Sequence, residues 1–200
     1  MKKTIWIATN NKNKIKEFKF ILKEFNINSL DDFQKDLDII EDGDTFEKNA
    51  LIKARYLAKH VQGIIIADDS GLCINNLNDF PGVNSKRWVG NDIKNWDEIN
   101  NKLLDIIQQN NLITVEQRKA HFNCTLALID TTTQKEKIFT GIVEGHIALY
   151  QDGNDGFAYD KIFIPNGYKD TFARLGFEIK QKLSHRSIAL NQLKEYLENI

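Results

Sequence analysis

Four short stretches of this chain carry side chains that could do chemistry. The first, Thr9-Asn10-Asn11-Lys12-Asn13-Lys14, gathers hydroxyl, amide and ammonium groups between an apolar run and a helical pattern. Backbone N–H groups at a helix start attract anions, and Thr9, Asn11 and Lys14 would add donors. The stretch lacks the GxxxxGK[ST] spacing of a P-loop, and an ordinary polar turn uses the same residue types. The second is acidic: Glu41, Glu47, Asp68 and Asp69. Asp68-Asp69-Ser70-Gly71 directly follows an apolar run, and ligands of α/β proteins sit beyond the carboxyl ends of strands. Two acids from different loops suit a hard cation such as Mg²⁺ together with phosphate. A strand-terminating turn capped by Asp and Ser is the plainer alternative.

The third stretch is Lys180 with Ser184-His185-Arg186. Ser184 reads as an N-cap, which sets His185 and Arg186 in a first helical turn, where cations oppose the helix dipole. An anionic or carbonyl-bearing ligand would account for that placement, and so would two exposed side chains at modest cost. The fourth is Gly153-Asn154-Asp155-Gly156-Phe157-Ala158-Tyr159-Asp160. Phe157 and Tyr159 could stack on a base or anchor the loop on the core.

Composition narrows the partners. The 27 Lys and Arg against 28 Asp and Glu give a net charge of -1, without the basic excess that a nucleic-acid polymer demands. A small charged ligand in a local pocket stays open. Cys73 and Cys124 show no CxxC or Cys/His spacing, which argues against a disulfide scaffold and a structural zinc site; free thiols suit the cytoplasm. His60, His121 and His146 read as surface or strand polar residues, Cys73 as a packed one, and Ser70 lacks a GxSxG elbow. The longest apolar run, Ile64–Ala67, stops at Asp68, far short of a membrane span, and the apolar N-terminus is too short for a signal peptide.

These groups need elements to position them. Thr4–Ala8 reads as a strand, followed by a polar turn and a helix from Lys14 with Ile15, Phe18, Leu22 and Phe25 on one stripe. Residues 38–44 suggest a short strand and an acidic turn. A helix over Thr45–His60 follows, with Asp44 and Glu47 as a capping box. Gly63–Ala67 reads as a buried strand ending in the acids, and 77–90 as irregular. Residues 92–110 form a helix with Trp96, Ile99, Leu103 and Ile106 inward. Phe122, Cys124, Leu126 and Leu128 alternate with polar or small residues in a strand, which turns at Asp130–Thr133 and returns over 136–150. After a Gly/Asp loop at 151–158, a last helix begins near Ser184 and carries Leu190, Leu193, Leu197 and Ile200 on one face. Without repeat or linker, this is one mixed α/β domain over residues 1–200, with long antiparallel strands in its second half.

Taken together and in order, the segments resemble the inosine/xanthosine triphosphate pyrophosphatase family over nearly the whole chain. The resemblance rests on Ala8-Thr9-Asn10-Asn11 with Lys14 and Glu17, on Thr45-Phe46-Glu47-Lys48-Asn49-Ala50 with Lys53-Ala54-Arg55, and on Ala67-Asp68-Asp69-Ser70-Gly71-Leu72. Pro81-Gly82-Val83 with Ser85 and Arg87, Gly156-Phe157-Ala158-Tyr159-Asp160 and Ser184-His185-Arg186 complete it. It implies an elongated two-lobed α/β fold with a mixed sheet and a central cleft, and a homodimer. It also implies Mg²⁺-dependent hydrolysis of ITP, dITP and XTP to the monophosphate and pyrophosphate. By position, Thr9, Asn11, Lys14 and Lys53 would hold the triphosphate. Glu41 and Asp69 would bind Mg²⁺, and Asp69 would also activate water, with Asp68 and Ser70 supporting that site at the substrate. Phe157, Tyr159, Asp160, Lys180, His185 and Arg186 would surround the base. Asn10 and Ala158 stand where the family often has Gly, Lys161 where Pro is frequent, Asn78-Asp79-Phe80 where Gly-Gly-Ala is common, and Arg174 where an acid is common. Two other readings use the same features: a pyrophosphatase for modified pyrimidine triphosphates, and a nucleotide-binding module without catalysis.

Overall fold

A computed structural model describes residues 2–35, 37–90, 93 and 95–199. In chain order it contains β1 (Thr4–Ile7), α1 (Lys12–Ile21), β2 (Asn26–Ser29), α2 (Leu30–Phe33), α3 (Phe46–Ala58), β3 (Ile64–Ile74) and β4 (Phe80–Pro81). Then come α4 (Trp96–Gln109), β5 (Lys119–Asp130), β6 (Lys135–Ile147), β7 (Phe163–Pro165), α5 (Phe172–Leu183) and α6 (His185–Glu198). The seven strands form one mixed sheet in the order β2-β1-β3-β5-β6-β7, with β4 attached to β3. β1 pairs in parallel with β2 and β3, while β4 and β7 pair antiparallel to β3 and β6. Only four residues join β5 to β6, a link that permits an antiparallel hairpin and no parallel crossover.

The chain divides into two compact units. The first comprises Met1–Ser70, Cys124–Gly141 and His185–Ile200, and the second Gly71–Asn123 and Ile142–Ser184. In the first unit, strand alternation gives each sheet face its own core. Ile5, Ile7, Ile66, Leu126 and Leu128 pack with Phe18 and Leu22 from the α1 segment and with Leu190, Leu193 and Leu197 of α6. Ile65, Ala67, Ala127 and Ile129 pack with Ala50, Ala54 and Leu57 of α3. Each large aliphatic side chain buried in this way contributes about 1.5–3 kcal/mol. The second unit has its own core, in which the α4 stripe meets Leu72, Ile74, Phe122, Phe163 and Phe172.

Several elements differ from the sequence reading, each for a physical reason. α1 begins at Lys12 because the Asn11 side chain accepts from the Asn13 and Lys14 N–H groups. α3 is capped by Thr45, which accepts from Lys48 N–H, while Asp44 pairs with the Lys48 ammonium at 2.7 Å on the surface. Residues 38–44 form no strand. Ile39 anchors them in the core while Ile40 faces solvent, and Gly43 N–H donates to the Asn49 amide oxygen instead of to a ladder. β3 runs through Asp68 and Asp69 to Ile74 instead of ending at them. The middle of β5 is buried on both faces, Thr125 and Ala127 included.

The inner stripe of α4 uses Ile107 where Ile106 was expected, and β6 ends at Ile147. β2, α2 and α5 went unread. β2 and α2 are four residues each, and Gly176, at φ +80, interrupts the helical period of α5. The expected helical start at 92 and the inward Ile200 lie outside the described residues.

Gly141 on β6 lies close against the backbone of α6. A Cβ there would stand 2.0 Å from the His185 carbonyl oxygen and 2.7 Å from the Ala189 nitrogen, both backbone atoms. Gly141→Ala should therefore push α6 off the sheet and cost about 1–3 kcal/mol, roughly 2–10 °C in Tm. An unchanged melting curve would refute that account of the packing.

Candidate active site

The acids of β3 sit immediately past the parallel part of the sheet. The β1–β3 register ends at Ile7 opposite Ile66, and Ala8 N–H donates to the Ile66 carbonyl. From there the two faces of β3 divide the chemistry. Ile64, Ile66, Asp68 and Ser70 point one way, toward α1 and α6. Ile65, Ala67 and Asp69 point the other way, toward α3.

Asp68 is 1 % exposed and surrounded by donors. Arg186 Nε donates to its Oδ2 at 2.7 Å, Lys14 Nζ donates to its Oδ1, Ser70 Oγ to the same oxygen at 3.1 Å, and the Cys124 thiol to Oδ2 at 3.2 Å. Burial works against the carboxylate. The Arg186 guanidinium and Lys14 ammonium outweigh it and hold the carboxyl well below the usual range. Arg186 is equally enclosed, at 2 % exposed. Its Nη1 donates to Glu17 Oε2 and its Nη2 to Ser70 Oγ at 2.8 Å. Burial and the Asp68 charge push the Cys124 thiol well up, so it is a packed donor.

Asp69 faces a different environment. Lys53 Nζ stands 2.9 Å from Glu41 Oε2 and 3.5 Å from Asp69 Oδ1, so one ammonium joins both acids. Burial raises the Asp69 pKa. Lys53 and Lys14 lower it in part, and the Glu41 charge raises it again. Asp69 Oδ2 is buried with no donor in hydrogen-bonding geometry, although the Asn49 amide stands near enough to lower the Asp69 pKa. A buried carboxylate oxygen without a donor, with a second carboxylate reachable through a shared cation, fits a hard divalent cation, because such ions take carboxylate oxygens. Thr9 and Asn11 stand beside them: Thr9 Oγ1 accepts from Asn11 N–H at 3.2 Å, and the Asn11 side-chain oxygen caps α1, a role that does not use its amide nitrogen. Asn10, in place of a glycine, donates to the Leu37 carbonyl at 3.1 Å and so ties the turn to the segment that carries Glu41.

The second unit brings together Phe157, Asp160 and Lys180. Lys180 Nζ donates to Asp160 Oδ2 at 2.7 Å and lies 4.4 Å from the centre of the Phe157 ring, while Phe157 N–H donates to the same carboxylate oxygen at 2.8 Å. Gly156 makes this possible. Its φ is +86, and a Cβ would stand 2.3 Å from Asp160 Oδ2. Ala158 holds φ +57 without that freedom. Tyr159 takes the anchoring role of the two open to it. It is 1 % exposed, donates to the Ser85 carbonyl at 2.5 Å and accepts from the Trp88 indole N–H at 2.8 Å. Arg174 pairs with Asp152 and Asp170, and Lys161 with Asp97, so these two departures are surface ion pairs. His185 is buried at the start of α6, and the buried Ser184 before it is the C-cap of α5.

Sequence reasoning missed Glu17 as the second acid on Arg186, Cys124 as a donor to Asp68, and Trp88 and Ser85 as the seat of Tyr159. The separation of 169 positions between Glu17 and Arg186 left no local signal.

The adjacent acids should separate in stability measurements. Asp68, with its lowered pKa, stabilises the fold above the unfolded-state value, and this contribution is lost as pH falls through the folded value. Asp69, with its raised pKa, stabilises only at low pH, and its contribution is lost as pH rises through the folded value. Asp68→Asn should cost about 3–5 kcal/mol at pH 7, since it strips a buried guanidinium of its partner. Asp69→Asn should cost nothing, or stabilise. Denaturant unfolding of both variants checks this, and equal losses would overturn the division.

Comparison with known proteins gives the same picture over the full length. The Ham1 family model matches residues 5–196. The dITP/XTP pyrophosphatase of Thermoanaerobacter sp. (strain X514) is 41% identical over 195 residues, covering 96% of each chain. That of Clostridium perfringens (strain 13 / Type A) is 41% identical over 212 residues, covering 100% of this chain and 99% of its own. Among solved structures, the Staphylococcus aureus Ham1 protein superposes with a TM-score of 0.85 at 38% identity, over 98% of this chain and 99% of that one. A HAM1 protein from Coxiella burnetii reaches 0.88 at 35% identity, over 99% and 100%. This chain belongs to the Ham1 family.

Proposed function

We propose that this protein is a pyrophosphohydrolase of the cytoplasm that converts deaminated purine nucleoside triphosphates, ITP, dITP and XTP, to the monophosphate and pyrophosphate, with the whole chain acting as one catalytic domain. Asp69 carries the reading. It is a buried carboxylate with a raised pKa and one oxygen free of hydrogen bonds, beside Lys53 and Glu41, in a chain whose relatives are named dITP/XTP pyrophosphatases.

Glu41 and Asp69 are the proposed ligands of Mg²⁺. When bound, Mg²⁺ polarises phosphoryl oxygens and offsets charge on the triphosphate. The chain's own groups do the rest. Thr9, Asn11, Lys14 and Lys53 donate to triphosphate oxygens, a task of positioning and charge stabilisation rather than covalent help. Asp69 takes the proton of the attacking water, the α–β anhydride bond breaks, and pyrophosphate leaves with the electron pair. Asp68 and Ser70 fix the strand on which Asp69 rides.

For the base we propose Phe157 as stacking partner, with Asp160, Lys180 and His185 as polar contacts. Arg186 and Tyr159 act by holding their neighbours in place. A 6-oxo purine accepts where adenine donates, so cationic donors favour it and leave a mismatch with adenine, and buried mismatches are strongly rejected. A homodimer belongs to the same proposal. Ile113, Val115, Leu149 and Tyr150 expose apolar surface that a second copy would cover.

With Mg²⁺, the purified chain should release pyrophosphate from ITP, dITP and XTP far faster than from ATP or dUTP. Preference for ATP would end the proposal. Asp69→Asn should lower kcat by about 10²–10³, the loss of roughly 2.7–4 kcal/mol of transition-state stabilisation.

A further inference from the structure

Among the described residues outside those assigned above, one mixed cluster of metal-ligating side chains stands in the second unit. Cys73 Sγ, an Asp79 carboxylate oxygen and a His121 ring nitrogen all lie within 4.8 Å of one another. Cys73 is on β3 and His121 on β5, adjacent strands of the sheet, so the sheet fixes two of the three donors. The third comes from the turn after β3. Asp79 N–H donates to the Ile74 carbonyl at 3.1 Å, and Asn78 and Asp79 hold φ values of 52 and 59. Asn and Asp are the non-glycine residues that adopt left-handed backbone most readily, and two in succession turn the chain so that the Asp79 carboxylate lies within 4.8 Å of the Cys73 sulfur.

We propose that Cys73, Asp79 and His121 form a binding site for a borderline-soft divalent cation, Zn²⁺ above all. Sulfur, imidazole nitrogen and carboxylate oxygen are the donors that Zn²⁺ takes in tetrahedral sites, with water as the fourth ligand. Zinc–ligand bonds of about 2.0–2.3 Å set neighbouring donors about 3.5 Å apart, so donors within 4.8 Å of one another need to close by no more than about 1.3 Å. Asp79 is exposed and His121 half-buried, which leaves both able to do so. Binding breaks the Cys73 S–H bond, forms a metal–sulfur bond and sends the proton to solvent, so affinity rises with pH. Mg²⁺ does not compete, because it prefers oxygen donors. The bound ion would clip the turn after β3 onto β3 and β5. This site is independent of the proposed hydrolysis, and its failure would leave that reading untouched.

The test is a Co²⁺ titration of the full chain stripped with a chelator. Co²⁺ bound by Cys73 gives a thiolate-to-metal charge-transfer band, which the oxygen donors Glu41 and Asp69 cannot produce. The band should appear with one equivalent, be erased by Zn²⁺ and withstand excess Mg²⁺. It should vanish in Cys73→Ala, and Asp79→Asn, an exposed change that keeps the fold, should weaken Co²⁺ binding at least tenfold. Zn²⁺ at a hundredfold excess over its Kd should raise Tm by roughly 5–10 °C in the native chain and not in Cys73→Ala. Absence of the band in the native chain, its persistence in Cys73→Ala, or unchanged affinity in Asp79→Asn would overturn the proposal.

Discussion

A carboxylate stripped of water holds the first unit together. Asp68 can stay ionised at 1 % exposure only because Arg186 and Lys14 meet it from two helices that share no sequence neighbourhood. Arg186 in turn needs Glu17 and Ser70. β3, α1 and α6 are thereby tied at one point, in a cluster whose members are costly to bury singly and tolerable only together. The apolar faces of α1 and α6 give the attraction between these elements. The ion cluster fixes where along their length they meet.

The neighbouring acid obeys the opposite logic. Asp69 gains less from its cations than burial costs it, and one of its oxygens accepts no bond. A fold tolerates such a group when some of its stability is given up for reactivity, and pairs of titratable groups driven apart by their surroundings mark the division of tasks in many enzymes. In the second unit the same contrast recurs more mildly. Tyr159 is satisfied on all sides, whereas Phe157 carries an ammonium over its ring and stays partly accessible.

Much of this was legible in the sequence. Periodicity disclosed β1, α3, β5, β6 and α6, and residue type singled out Lys14, Glu41, Asp69, Lys180 and Arg186, whereas Lys53 came only from the family resemblance. What escaped was set by long-range pairing or by breaks in pattern. The acids looked like a strand terminus because charge normally ends a buried strand. Here the cations that let β3 continue come from residues 54 and 118 positions away. α5 was hidden by Gly176, and the proximity of Cys73 to His121 by the 47 residues between them. Asp44 looked like a helix cap because Thr45, one residue on, holds that position.

The uninterrupted run of β3 through both acids has a consequence for insertions and deletions. A loop could absorb a lost residue. A strand pinned by β1 on one side and β5 on the other cannot, because its side chains alternate with strict period two. Deleting one residue from Ile64–Ala67 would turn Asp69 toward Arg186 and Asp68 toward Lys53. The composition of the cluster would be nearly unchanged, yet the carboxylate that ties the helices and the one proposed to act on water would have traded faces. In this protein the reading frame of a single strand decides which acid meets Arg186 and which meets Lys53.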